Sequence, residues 1–89
     1  MASTYNQVTV TSTPTLIVAA NNRRRQLIFD NQSSSVSIWV GHDANITTTN
    51  TIRMLPGSRY ESDGNYARIA IYGVTASSTA TVGYWEIAD

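Results

Sequence analysis

The sequence predicts an all-β domain: a single antiparallel β-sandwich or small barrel of about eight strands, with jelly-roll or Greek-key-like connections. Segments in which apolar and polar residues alternate recur about every ten residues, a spacing typical of these architectures. Turn-forming residues separate the segments. Serine and threonine supply 22 of the 89 residues, and no stretch has the periodicity of an amphipathic helix. An immunoglobulin-like sandwich also fits, because strand number alone does not separate the two architectures.

The N-terminal part of the chain contains two predicted strands behind a short arm. Residues 1–6 show no alternation, and we expect a flexible arm there, ahead of a β-sandwich domain over residues 7–89. Val8–Thr11 alternates and predicts a strand. Pro14 interrupts the pattern because proline cannot donate to a β-ladder. Thr15–Ala19 predicts the second strand.

The central segment, Arg23–Gly41, predicts two strands joined by a polar turn. Leu27–Phe29 and Val36–Val40 alternate with period two, which places one face of each strand on a core. Between them, residues 30–35 carry the Asp, Asn and Ser side chains that favour turns. The pattern therefore predicts a β-hairpin.

The C-terminal half of the chain contains four more predicted strands. Pro56–Gly57, Ser62–Asn65 and Ala76–Ser78 supply the turn signals between them. The strands are expected at 51–55, 58–61, 67–73 and 79–87.

Charge and composition narrow the range of possible functions. Six arginines and no lysine balance six acidic residues, so the net charge is zero. General nucleic-acid or membrane-surface binding needs a broad positive field, which a neutral chain lacks. The longest apolar run, Leu16–Ala20, falls far short of the ~20 residues that span a bilayer. Residues 1–4 lack the basic and apolar regions of a targeting peptide. We expect neither a membrane nor a nucleic acid as partner.

Groups suited to catalysis or metal binding are few. His42 is the single histidine, and a small hydrolase centred on it would need Asp43 to orient the ring. Adjacent residues on a strand usually point to opposite sides, which disfavours that alternative. One histidine without any cysteine does not supply a zinc site, and Asp63–Asn65 lacks the acidic series of a calcium loop. The sequence predicts no enzyme, no metal and no cofactor.

Three consecutive arginines, Arg23, Arg24 and Arg25, precede the central strands. We expect Arg23 and Arg24 to extend from the turn and Arg25 to lie beside the sheet. Guanidinium forks suit the carboxylates and backbone carbonyls of a partner protein. The alternative is that solvated charges protect a strand edge from aggregation. The three residues are candidate interface residues.

Tyrosines near turns and on polar strand faces are the second candidate feature. Tyr60, Tyr66 and Tyr72 are predicted at a subunit interface, where tyrosine and arginine are enriched. Exposed aromatic rings also suit a carbohydrate platform, so that interpretation stays open.

Three stretches carry a resemblance to a known class of proteins. They are RRQLIFDNQSSSVSIWVG at 24–41, IRMLPGSRYE at 52–61 and ARIAIYGVTASSTATVGYWE at 67–86. This pattern, over roughly residues 15 to 87, resembles small virion proteins encoded by tailed bacteriophages. Ser77 and Ser78 stand where a glycine is common in that pattern.

The resemblance implies a capsid decoration, or cement, protein that is assembled in the host cytoplasm and lies on the capsid surface of the virion. Such proteins bind the head exterior, commonly as homotrimers, and stabilise contacts between major capsid proteins. A tail- or fibre-associated module that recognises carbohydrate through exposed aromatics is the alternative. The pattern does not identify contact residues.

Overall fold

The structure is a computed structural model that describes residues 2–89. Within these residues, no helix has the length and apolar character needed to cross a bilayer. The fold is all-β, as predicted, with one short 3₁₀-helix. The elements are β1 (Ala2–Val10), β2 (Thr15–Val18), β3 (Arg24–Asn31), β4 (Ile38–Gly41), β5 (Ile52–Met54), β6 (Arg59–Asp63), the 3₁₀-helix (Gly64–Arg68), β7 (Ile71–Val74) and β8 (Ala80–Ala88).

The strands form two antiparallel sheets of four strands each. The first sheet has the order β1-β8-β3-β6 and the second has the order β2-β7-β4-β5. This is the strand order of a jelly roll, in which most consecutive strands lie in opposite sheets. The two sheets pack as an open sandwich rather than a closed barrel.

The predicted hairpin between β3 and β4 is wrong. Both segments are strands, but β3 pairs with β6 and β8 in the first sheet. β4 pairs with β5 and β7 in the second sheet. The polar turn between them therefore carries the chain from one sheet to the other, because each strand buries its apolar face between the sheets.

The predicted N-terminal arm also differs from the structure. Met1 lies outside the described residues. Ala2–Asn6 belongs to β1, which pairs with β8 from Ala2 opposite Ala88 to Val10 opposite Ala80. The side chains of residues 2–7 are exposed. Backbone pairing with β8, rather than side-chain burial, thus orders this segment.

The core lies between the two sheets and consists of the strand residues whose side chains face inward. Leu27 and Val82 come from the first sheet, Ile38 and Met54 come from the second, and all four are fully buried. On β4, Trp39 lies between Ile38 and Val40, which are both buried, and therefore faces the outside of the second sheet.

A 3₁₀-helix replaces the first part of the strand that was predicted at 67–73. Gly64 has a φ of 60°, in the left-handed region that favours glycine, and starts this turn. Ala67, within this helix, is fully buried. The extended strand resumes only at Ile71. The main-chain carbonyls of this segment bind a side chain instead of a neighbouring strand.

Candidate functional site

The arginine cluster does not form one surface. The side chain of Arg24 is fully buried, whereas Arg23 and Arg25 are exposed. The guanidinium group of Arg25 lies 3.4 Å from the Asp89 carboxylate, and both side chains are more than half exposed. The prediction that Arg24 extends from the turn toward a partner is therefore wrong.

Arg24 instead joins β3 to three other parts of the fold from inside. Its Nη1 donates to the Ala19 carbonyl at 2.9 Å and to the Glu86 carboxylate at 3.0 Å. Its Nη2 donates to the Ile69 carbonyl at 2.8 Å, and its Nε donates to the Ala67 carbonyl. The side chain thus satisfies carbonyls of the β2–β3 connection and of the 3₁₀ segment while it neutralises a carboxylate of β8.

The three predicted tyrosines lie in different environments. Tyr60 packs its ring edge-on against Phe29, with 5.9 Å between the ring centroids, and its hydroxyl donates to the Arg53 carbonyl at 3.2 Å. Tyr66 is 72 % exposed on the 3₁₀-helix. Tyr72 is half-buried on β7, in the second sheet. Tyr60 thus supports the core, and Tyr66 and Tyr72 lie on separate elements.

The outer face of the first sheet carries an aromatic pair that the sequence analysis did not select. Tyr5 on β1 lies opposite Trp85 on β8, and Trp85 lies opposite Ile28 on β3. The Tyr5 and Trp85 rings stack with centroids 5.8 Å apart and planes 17° apart. Tyr5 is 72 % exposed and Trp85 is 38 % exposed. We call Tyr5, Ile28, Trp85 and Ile87 the aromatic face.

A pair of amide side chains borders the aromatic face. Nε2 of Gln7 donates to Oε1 of Gln32, the residue after β3, at 2.7 Å, and this bond bridges across β8. Gly83 lies beneath this bridge, and a Cβ at that position would collide with the Gln32 side chain. The glycine therefore allows a polar bridge beside the exposed rings.

The outer face of the second sheet is partly covered. On β4, Gly41 is the next outward position after Trp39, and a Cβ there would collide with Ile46 of the 42–51 loop. Ile46 is buried although it belongs to a loop. The loop therefore covers the outside of this sheet next to Gly41, while Leu16 on β2 stays 43 % exposed.

A groove of about 550 Å³ opens between the edge strands β5 and β6. His42 lies at its rim, and its Nδ1 donates to the Ala70 carbonyl at 3.2 Å. Asp43 Oδ1 accepts from the Asn45 main-chain N–H at 2.9 Å and so caps a turn instead of orienting the imidazole. Residues 2–89 contain no cluster of three or more residues of the types that bind metals. Lining residues include Phe29, Val40, Ile52, Tyr60, Tyr66 and Ile71.

Comparison with known proteins identifies the fold. No family model and no curated protein sequence matches the chain. The chain is similar to a de novo designed double-stranded β-helix, with a TM-score of 0.60 and 11% identity over 94% of this chain and 99% of that one. It is also similar to a chain of Bacillus endospore appendages, described as a novel family of disulfide-linked pili (TM-score 0.51, 15% identity, 98% of this chain and 85% of that one). Identities this low show the fold alone.

Proposed function

We propose that this protein is a structural component of a tailed-bacteriophage virion that binds the head exterior and stabilises contacts between major capsid proteins. The resemblance of the three sequence stretches supports the virion assignment, and the jelly-roll fold is compatible with it. The aromatic face is the observation that carries the binding role. The resemblance also implies a homotrimer, which sedimentation velocity distinguishes from a monomer or a dimer.

The aromatic face has the properties of a protein-binding surface. Its stacked rings lie on a sheet held by pairing along the whole length of β1 and β8, so they are ordered before any partner binds. Exposed contiguous apolar patches mark interaction sites, and tyrosine and tryptophan are enriched among the residues that dominate binding energy. Polar groups of Gln7 and Glu61, which lie beside the patch, supply the rim that such interfaces have.

Binding to capsids tests the proposal. Purified chain is added to expanded capsids that lack it, and co-sedimentation gives the affinity. We expect Trp85→Ala to weaken binding roughly 30-fold, which corresponds to a hot-spot loss of about 2 kcal/mol. Tyr5→Ser is expected to act in the same direction, because it removes the ring that stacks on Trp85.

Tyr66→Ser is the matched control, because Tyr66 and Tyr5 are both 72 % exposed and lie on different elements. It should bind as the unmodified chain does. Equal losses of capsid affinity in Tyr5→Ser and Tyr66→Ser would show that non-specific hydrophobic association, rather than the aromatic face, governs the interaction. If reconstructed capsid particles show no density for the chain, a role as a decoration protein is ruled out.

Carbohydrate binding is a second candidate function, favoured by the amide bridge beside the rings. The Gln7 and Gln32 side chains present both donors and acceptors to sugar hydroxyls, and the Tyr5 ring offers a flat apolar surface next to them. Titration with host polysaccharide is followed by tryptophan fluorescence, with Trp39→Phe as the variant that isolates Trp85. A saturable fluorescence change that Gln32→Ala abolishes would support this function. If the fluorescence does not change, carbohydrate binding is ruled out.

A further inference from the structure

The free edge of β1 is long and unprotected. Within residues 2–89, β1 has β8 on one side and no strand on the other. It runs for nine residues and pairs with β8 in unbroken one-to-one register. It contains no charged residue, proline or glycine. An edge of this kind is a template for pairing with another strand.

The other three edges carry the features that discourage such pairing. β6 is five residues long and carries Arg59, Glu61 and Asp63. β5 has only three residues, with Arg53 in the middle. β2 has four residues, and its register is interrupted between Leu16 and Val18. Short strands, charges and irregularities are the usual protections of sheet edges, so β1 differs from its own counterparts.

The hydrogen bonds identify which groups of β1 face outward. Gln32 N–H donates to the Thr81 carbonyl at 2.9 Å, so Thr81 directs its main-chain groups toward β3. Thr9 lies opposite Thr81, and its N–H and C=O must therefore face away from β8. The Gln7 N–H has the same orientation and donates to the Asn6 side chain at 2.9 Å. By this alternation the free-edge groups belong to Ser3, Tyr5, Gln7 and Thr9.

We propose that a second copy of this chain pairs its β1 antiparallel with this edge about a two-fold axis, so that the first sheet continues through both molecules. The register that places Asn6 on the axis, opposite Asn6 of the other copy, gives each free-edge residue a partner. Tyr5 then pairs with Gln7 of the other copy, and Ser3 pairs with Thr9. In this pairing the Gln7 N–H exchanges the Asn6 side chain for the Tyr5 carbonyl of the other copy. An isologous contact of this kind closes at two subunits.

The chemistry of β1 favours a second copy as the occupant. Because the strand is neutral, pairing with itself places no like charges opposite each other. The two Asn6 residues would form a closely spaced pair at the axis, where their amides can hydrogen-bond to each other. On the outer face, each Tyr5 ring would lie against the aliphatic part of the facing Gln7. The pairing does not depend on the proposed virion function.

Sedimentation velocity over a concentration series tests the pairing, with Asn6→Asp as the diagnostic variant. Aspartate keeps an oxygen that can accept from the Gln7 N–H but places two carboxylates opposite each other. We expect a reversible dimer of about twice the 9.7 kDa chain mass. Asn6→Asp should raise the dissociation constant about tenfold or more at low salt, and high salt should restore part of the affinity.

Asn65→Asp is the control, because Asn65 is exposed on the 3₁₀-helix and the substitution adds the same charge away from the edge. In the unmodified chain, the amides of Ser3, Tyr5 and Thr9 should gain protection from hydrogen exchange as concentration rises. A monomer at every concentration, a trimer, or equal effects of the two aspartates would overturn the pairing. A chain that binds capsids as a monomer would overturn the pairing and leave the proposed function intact.

Discussion

Replacing the buried Arg24 with methionine should be among the most destabilising single changes in this protein. Methionine fills much of the same volume but leaves Glu86 without its ion-pair partner and the carbonyls of Ala19, Ala67 and Ile69 without a donor. Removing one partner of a buried ion pair typically costs about 3–5 kcal/mol. For a domain of this size, each kcal/mol lowers Tm by about 4–8 °C, so we expect a decrease of roughly 12–40 °C.

The flanking arginines provide the controls for this change. Arg23→Met and Arg25→Met remove the same functional group from exposed positions. The Arg25–Asp89 pair is more than half exposed on both sides, and solvent screening makes such pairs worth little. Both controls should therefore stay within about 0.5 kcal/mol of the unmodified chain. The measurement is urea unfolding followed by tryptophan fluorescence, with circular dichroism as a second probe.

Glu86→Gln separates the ion pair from the carbonyl contacts. Glutamine keeps an oxygen that can accept from Arg24 and leaves the bonds to the three carbonyls in place. Glu86→Gln should also destabilise the chain, because the buried guanidinium charge loses its counter-charge. Its cost should be smaller than that of Arg24→Met, because every donor of Arg24 keeps an acceptor. If Arg24→Met unfolded no more easily than Arg23→Met, the role of Arg24 in joining these segments would be refuted. Faster hydrogen exchange at residues 64–69 in Arg24→Met would show that stability is lost in the segment whose carbonyls accept from Arg24.

Two glycine substitutions test the packing and the turns. In Gly73→Ala, the new Cβ would lie 2.9 Å from Ile17 Cδ1, so we expect about 1–3 kcal/mol of destabilisation by overpacking; Ile17→Val in the same chain should recover part of it in urea unfolding. Gly57 has a φ of 79° with open space around it, so Gly57→Ala should lower stability by about 1 kcal/mol through backbone strain alone. Gly57→Asn should cost less, because asparagine tolerates that conformation, and equal losses would contradict this explanation.

Period-two patterns predicted where the strands lie in the sequence but not which strands pair with each other. Alternation states which side of a strand is buried, and it correctly placed Leu27 and Phe29, or Ile38 and Val40, on the core. It contains no information about which sheet a strand joins, so the link between β3 and β4 was predicted as a hairpin. The first part of β1 was predicted as an arm for a different reason. Its residues before Val8 bury no apolar side chain, and pairing with β8 alone orders them.

The environment of Arg24 was not predictable from alternation, because the alternation itself changes phase there. Leu27 faces the core, so strict period two would place Arg25 inward and Arg24 outward. The pairing of β3 with β8 is irregular between Arg24 and Gln26. A bulge of this kind reverses which residues face inward beyond it. Arg24 therefore enters the interior beside Glu86, and only its neighbours remain available to a partner.

The two sheets differ in a way that bears on function. The 42–51 loop packs Ile46 onto the outer side of Gly41, which buries an apolar side chain on the second sheet. No comparable segment of residues 2–89 lies over Tyr5, which keeps 72 % of its surface exposed. On β8, Trp85 faces outward while its neighbour Glu86 faces inward to Arg24. β8, the middle strand of the aromatic face, is thus held from the interior by a buried ion pair and on its two sides by β1 and β3. A rigid sheet with one bare apolar face suits binding to a large surface, because little conformational entropy is lost when the partner docks.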